Sequence, residues 1–348
     1  MARGTEPGSL TKEVAERLRA LLCAMQDAIA SQVIAERAAA RLEDLSAIVN
    51  VTESDTIYHI DSITEDAILA WFEANWPDDL PTEIVMEGIS DQSRPVFPAS
   101  AVGKDVRFVC IIDPIDGTRG LMYDKRSAWV LAGVALNHGR DTTLADIQVA
   151  VMTELPPIKQ RMLDQLSAVR GAGRQGVRSE RVSLDTGKRE SLVMQPSRAA
   201  DLHQGFVGVA RFLPAGKALL ARFEEELYRS LYGDANVAAL SIFEDQYICS
   251  GGQIAELCSG RDRMIIDIRP LAHGKLGLTG AMDCHPYDIC TALILTELGG
   301  VVTGPIGRVL TAPLDTTTSV AWIGYANAEL AAHVQPVLVD VLDELFSR

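Results

Sequence analysis

Three observations predict a layered α/β fold in two parts. Stretches that alternate apolar and polar residues, as strands do, recur between stretches of helical period along the whole chain. The chain has 348 residues, more than one small core accommodates. The pattern of elements also changes near residue 187, which separates an N-terminal α+β domain at 1–187 from a C-terminal α/β domain at 188–348.

The elements follow in order. Residues 11–43 place Val14, Leu18, Leu22, Met25, Ile29 and Val33 at steps of three and four, which predicts a long amphipathic helix capped by Ser9 or Thr11. "DTIYHID" (55–61) reads as a short strand, and "SITEDAILAWFEANWP" as a helix capped by Ser62 or Thr64 and stopped by Pro77. "EIVMEGIS" (83–90) predicts a strand ending at Glu87, and "DVRFVCIID" (105–113) a stronger one rich in β-favouring residues. "SAWVLAGVALNHG" and "DIQVAVMTE" are two more strands, joined by the turn "NHGRDT". Residues 155–181 read as irregular and carry Arg170, Arg174, Arg178 and Arg181. Beyond them come a strand at "ESLVMQP", a helix at "AGKALLARFEEELYRSLYG", and a helix opening on Ser250-Gly251-Gly252. "RMIIDIRP" is a strand, and "YDICTALILTELGG" a helix that ends at Gly299 or Gly300. "VVTGP" and "SVAWIGYA" are late strands, before a closing helix from 328.

Composition narrows the function. Hydrophobic residues make up 47% and charged residues 23%, the balance of an ordinary globular protein. A net charge of -15 argues against a nucleic-acid polymer or an anionic membrane as partner. A small anionic substrate is still compatible, provided something local reverses the sign. The start lacks the apolar core of a secretory signal, and no run of about 18 apolar residues reads as a membrane span. The 6 cysteines lack any CxxC pair, which predicts buried thiols in a reducing cytoplasm and no zinc site.

The stretch "IIDPIDGTRG" (111–120) carries the chemistry. Asp113 and Asp116 end an apolar strand, where two ionised carboxylates repel and burial makes each costlier. They must share a proton, pair with basic side chains or bind a cation. Glu87, Asp61 and Asp288 also stand at strand or helix ends, and such oxygen donors are what a hard cation such as magnesium needs. Gly117 lets a phosphate approach closely, and Thr118 can open a helical turn whose N–H groups bind an anion. Metals, amides and a hydroxyl at one point suit transfer of a phosphoryl group to water. The D-x-D-G-T motif of haloacid-dehalogenase phosphatases does not apply, because Pro114 occupies the position of its nucleophile.

"DPIDGTRG" followed by "YDICTALILTELGG" resembles the paired signatures of the inositol monophosphatase and fructose-1,6-bisphosphatase superfamily, D-P-[IL]-D-G-[ST] and [WY]-D-x-[AS]-[AG]-x-x-[IL]-x-x-E-[AL]-G-G. Glu87 in "VMEGI" and the spacing Asp55, Asp61, Glu65 fit the same pattern, which spans roughly residues 50–305. The second signature is divergent: Tyr287 and Asp288 precede Ile289, Cys290 and Thr291 where small residues are usual. The resemblance implies an α-β-α-β-α sandwich of the sugar-phosphatase type, a homodimer, sensitivity to lithium and a magnesium-dependent phosphomonoesterase. It implies that Glu87, Asp113 and the Ile115 carbonyl bind one magnesium ion. Asp113, Asp116 and Asp288 bind a second, and a third, looser ion lies near Glu87. Asp61 and Thr118 would orient the attacking water, and Gly117 and Thr118 would offer N–H groups to the phosphate.

Substrate choice is less defined. Animal inositol monophosphatases hold sugar hydroxyls with a Glu seven residues before the last metal-binding Asp. Ala281 stands at that spacing here, with Asp283 two positions on as its substitute and His285 as a further substrate contact. "DGTRG" with the following "LMYDKR" resembles instead the 3′(2′),5′-bisphosphate nucleotidases, and the arginines of 155–235 could read a second phosphate. A small phosphorylated polyol or sugar, inositol monophosphate-like, is the first expectation for the substrate. A nucleotide bisphosphate is the second, and a non-catalytic metal- and phosphate-binding relative stands as the contrasting class.

Overall fold

The computed structural model describes residues 10–39, 48–51, 56–102, 105–237, 239–278 and 282–346. Asp55, Ala281, Ser9 and the 40–43 end of the expected first helix lie outside the described residues. The rest forms five layers in the order helix, sheet, helix, sheet, helix, the sandwich the resemblance implies.

The first sheet has 8 strands, ordered Arg189–Ser191, Arg178–Ser183, Met162–Val169, Ile147–Leu155, Ala128–Leu136, Phe108–Asp116, Thr82–Met86 and Val96–Phe97. Its two faces feed two cores, because successive side chains point to opposite sides. Phe108, Cys110 and Ile112 face the outer layer, where the Lys12–Ala39 and His59–Asn75 helices lie. Val109 and Ile111 face the middle layer, made by the Ser250–Ser259, Pro286–Ile289 and Ala292–Glu297 helices. The second sheet has 5 strands, ordered Ile242–Phe243, Gly205–Val209, Asp262–Asp267, Trp322–Tyr325 and Val301–Thr303. The Lys217–Tyr232 and Ala328–Phe346 helices cover its far side through a third core that includes Phe223, Leu227, Val334 and Leu338.

By length and composition the Lys12–Ala39 helix could cross a bilayer, but its apolar row is spent on the first sheet. Buried polar residues fix its register there. Gln26 donates to Val151 O at 2.9 Å and accepts from Thr153 Oγ1 at 2.8 Å, and Arg37 donates to Pro156 O at 2.7 Å. Each satisfies a group that would be costly to bury alone.

Four expectations need correction. The second helix begins at His59, not after Ser62: Asp61 lies in its first turn and accepts the Tyr58 N–H at 2.9 Å, so neither Ser62 nor Thr64 caps it. Thr64 instead donates back to Ile60 O. Residues 155–181 are not irregular but hold two strands. Their apolar pattern is masked by buried polar residues that find partners inside the fold, such as Asp164 with Arg181 at 2.7 Å and Gln165 with Thr153 at 2.9 Å. The strand at Arg189–Ser191 is exposed and closes the edge of the first sheet, so the chain leaves that sheet only after 191 and enters the second at Gly205. Finally, the "YDICTALILTELGG" helix breaks at Cys290–Thr291, where Cys290 is pressed against Gly133. A Cβ on Gly133 would stand 3.1 Å from the Cys290 carbonyl oxygen.

Candidate active site

Asp113 and Asp116 are three residues apart, and in a regular strand that spacing puts side chains on opposite faces. A bulge corrects this. Asp113 pairs with Leu131 and Asp116 with Trp129, so three steps on one strand match two on the other. The extra residue sends Ile115 into the outer core and returns Asp116 to the inner face beside Asp113. Pro114, which has no N–H to offer a ladder, sits where the ladder is already broken. Gly117 then turns the chain with φ of 94°, a left-handed geometry that favours glycine. A Cβ there would also meet the Cys249 Cβ at 3.0 Å.

One carboxylate oxygen from each of Asp113, Asp116 and Asp288 lies within 4.8 Å of the others. Asp113 is 1% exposed and accepts one hydrogen bond, from the Ile115 N–H at 3.0 Å. Burial first, and then the charges of Glu87, Asp116 and Asp288, push its carboxyl well above the usual range. Burial raises Asp116 to about 6 against the help of the Gly251 amide, which donates to it at 2.5 Å. That amide opens the Ser250–Ser259 helix, and the missing side chain allows the approach: a Cβ on Gly251 would stand 2.5 Å from Leu131. Asp288 is held by the His285 N–H at 2.5 Å.

These carboxylates line one cleft with Glu87, Ile115, Gly117, Thr118, Asp283 and His285. Asp61 reaches it through Thr118, whose hydroxyl lies 2.9 Å from Asp61 Oδ1 and 2.8 Å from Ile115 O. The structure therefore brings Glu87, Asp113, Ile115, Asp116, Gly117, Thr118, Asp283, His285 and Asp288 to one cleft, with Asp61 behind Thr118. Their burial differs: the His285 ring is 4% exposed and stacks on Tyr287 with centroids 5.3 Å apart. The arginines of 155–181 are elsewhere. Arg170 donates to Ile147 O, Arg174 to Leu298 O, Arg178 pairs with Glu16 and Arg181 with Asp164.

Among the described residues, Arg119 and Arg269 bring guanidinium groups to the cleft. The Arg119 guanidinium lies over the Tyr58 ring at 5.3 Å. Arg269 packs over Phe212 at 4.5 Å and pairs with the buried Asp267 at 2.6 Å. Sequence reasoning missed Arg269, Phe212 and the Gly251 amide. The signal for Arg269 was present in "IIDIRP", a second apolar strand ending in Asp with an arginine two residues on.

No family model matches the chain, and no curated protein matches its sequence. Solved structures do match in fold. The fructose-1,6-bisphosphatase of Leishmania major aligns at a TM-score of 0.65 and 13% identity, over 97% of this chain and 100% of that one. The extragenic suppressor protein suhB of Bartonella henselae aligns at 0.60 and 16% identity, over 92% and 98%. Inositol monophosphatase II of Staphylococcus aureus aligns at 0.59 and 14% identity, over 95% and 98%. The architecture is thus a sugar-phosphatase-type sandwich. More particularly, the chain has the fold of the inositol monophosphatase and fructose-1,6-bisphosphatase superfamily across nearly its whole length.

Proposed function

We propose that the chain is a magnesium-dependent phosphomonoesterase that hydrolyses a small phosphorylated polyol or sugar. The observation that carries this reading is the carboxylate cluster: three aspartates within 4.8 Å, with Asp113 raised by burial and by its acidic neighbours. An all-oxygen donor set of this kind fits a hard divalent cation. Asp113, Asp116 and Asp288 would hold one ion; Glu87, Asp113 and the Ile115 carbonyl would hold another. Such ions, when bound, acidify a water molecule and offset the charge of a phosphate. The Thr118 hydroxyl donates within reach of both Asp61 Oδ1 and the Ile115 carbonyl, and its lone pairs would orient the attacking water. The N–H groups of Gly117 and Thr118 donate to phosphate oxygens, Asp283 accepts from a substrate hydroxyl, and His285 lines the wall beside Asp288. The names of the inositol monophosphatase and fructose-1,6-bisphosphatase neighbours support the reaction class.

A magnesium-dependent phosphate-release screen tests the reading, using inositol phosphates, fructose 1,6-bisphosphate, histidinol phosphate and adenosine 3′,5′-bisphosphate. Release from a polyol or sugar phosphate, lost in Asp113→Asn, is the expected result. Magnesium binding without release from any ester would favour a non-catalytic metal- and phosphate-binding relative. Lithium at millimolar concentration is expected to suppress turnover, as the resemblance implies.

One observation favours a second reading. Arg119 and Arg269 put two guanidinium groups on the cleft wall, with Tyr58 and Phe212 beneath them. A bisphosphorylated substrate, including a 3′(2′),5′-bisphosphate nucleotide, would use them for its second phosphate. In that case Arg119→Ala would raise KM for adenosine 3′,5′-bisphosphate and leave inositol monophosphate nearly untouched. The homodimer implied by the resemblance is checked by light scattering on the purified chain. The six free thiols suit the reducing cytoplasm proposed as its location.

A further inference from the structure

Part of the cleft wall comes from the segment between the Asp262–Asp267 strand and Asp288. Its short helix, Arg269–Lys275, grips residues 282–283 twice. Arg269 Nη1 donates to Met282 O at 2.9 Å, and His273 Nδ1 lies 2.6 Å from Asp283 Oδ1. His273 is 2% exposed, and no partner among the described residues meets its Nε2. A second N–H there would be buried without an acceptor, which costs more than an unused lone pair. Nδ1 is therefore the ring nitrogen that donates, and it orients the Asp283 carboxylate by a hydrogen bond. Among the described residues no hydrogen-bond partner meets Asp283 Oδ2, while Asp283 itself lines the cleft.

We infer that His273 is a positioning residue for substrate selectivity: it fixes Asp283 as an acceptor for hydroxyl groups on a polyol phosphate. The inference rests on the phosphomonoesterase reading. An acceptor-only carboxylate at that wall recognises hydroxyls and repels a second phosphate placed there. Holding it in one orientation lowers the ordering cost of binding.

The test compares glycerol 2-phosphate, which carries two free hydroxyls, with p-nitrophenyl phosphate, which carries none. His273→Leu is expected to lower kcat/KM for glycerol 2-phosphate about tenfold, mainly through KM, and to change p-nitrophenyl phosphate turnover less than about twofold. His273→Asn, whose amide N–H reaches the same oxygen, restores most of the loss. In an Asp283→Ala background His273→Leu has no further effect on the ratio of the two substrates. Equal losses on both substrates, or a full loss that persists without Asp283, would overturn the inference and leave the phosphatase reading standing. A wild-type protein that turns over neither ester with magnesium overturns both.

Discussion

The tripeptide Ile-Ile-Asp stands in two buried strands of this molecule, reaching Asp113 just before the bulge in the first sheet and Asp267 at the end of its strand in the second. Both aspartates are 1% exposed, and the environments differ in what cancels the charge. Asp267 accepts from Arg269 three times, from the backbone N–H at 3.2 Å, from Nε at 2.9 Å and from Nη2 at 2.6 Å. Asp113 accepts one backbone N–H and faces three further carboxylates. The second strand end is electrically complete within the chain. The first holds several carboxylates close together, each making the next costlier, a strain that a shared proton or a bound cation would relieve. The same local sequence thus makes a structural ion pair in one sheet and a candidate metal site in the other, and the residue two positions after the aspartate decides which.

Substitutions break this comparison in opposite directions. The largest effect is expected on catalysis: Asp113→Asn lowers magnesium-dependent phosphate release more than about a thousandfold, measured by kcat/KM, since it strips the carboxylate shared by both proposed ions. Thr118→Ala follows, with a loss of about a hundredfold in kcat and little change in KM, because Asp61 no longer orients the water through a hydroxyl. The effect at the other strand end is on stability. Asp267→Ala leaves Arg269 buried and unpaired, and chemical denaturation should show a loss of about 3–5 kcal/mol. A smaller change sharpens the point at the start of the same strand. Burial first, then Glu256 and Asp245, raise Asp262 to about 7. Its folded form holds a proton more tightly than the unfolded chain, so its contribution is full at low pH and is lost as pH rises from about 4 through about 7. Asp262→Asn should therefore raise the thermal midpoint by a few degrees at pH 8 and leave it nearly unchanged at pH 4.

Strands with continuous apolar runs, such as Phe108–Asp116 and Ala128–Leu136, were legible because both faces of the sheet are covered. Met162–Val169 was not, since its inward Asp164, Gln165 and Ser167 look like loop residues until their partners are seen. In the site, the carboxylates were legible as a group with Gly117 and Thr118. The bulge that aligns Asp113 with Asp116 was not, although Pro114 inside a strand was its trace. Distance along the chain misled at the cleft wall formed by Asp283. Counting seven residues back from Asp288 reaches Ala281, whereas the strand that precedes Asp288 ends at Asp267, beyond an intervening helix. The contacts of Arg269 and His273 arise from that detour, which no short spacing rule encodes.

We propose that the Asp113 cluster takes up a cation and that Asp267, already paired with Arg269, does not. Thermal unfolding at neutral pH, in chelator and in millimolar magnesium, tests it most directly on the wild-type chain and Asp113→Asn. The wild type should gain several degrees on adding magnesium. Asp113→Asn should already melt higher than wild type in chelator, relieved of a buried charge, and should gain nothing from magnesium. A wild-type midpoint indifferent to magnesium, or an Asp113→Asn variant that responds as the wild type does, would contradict the account.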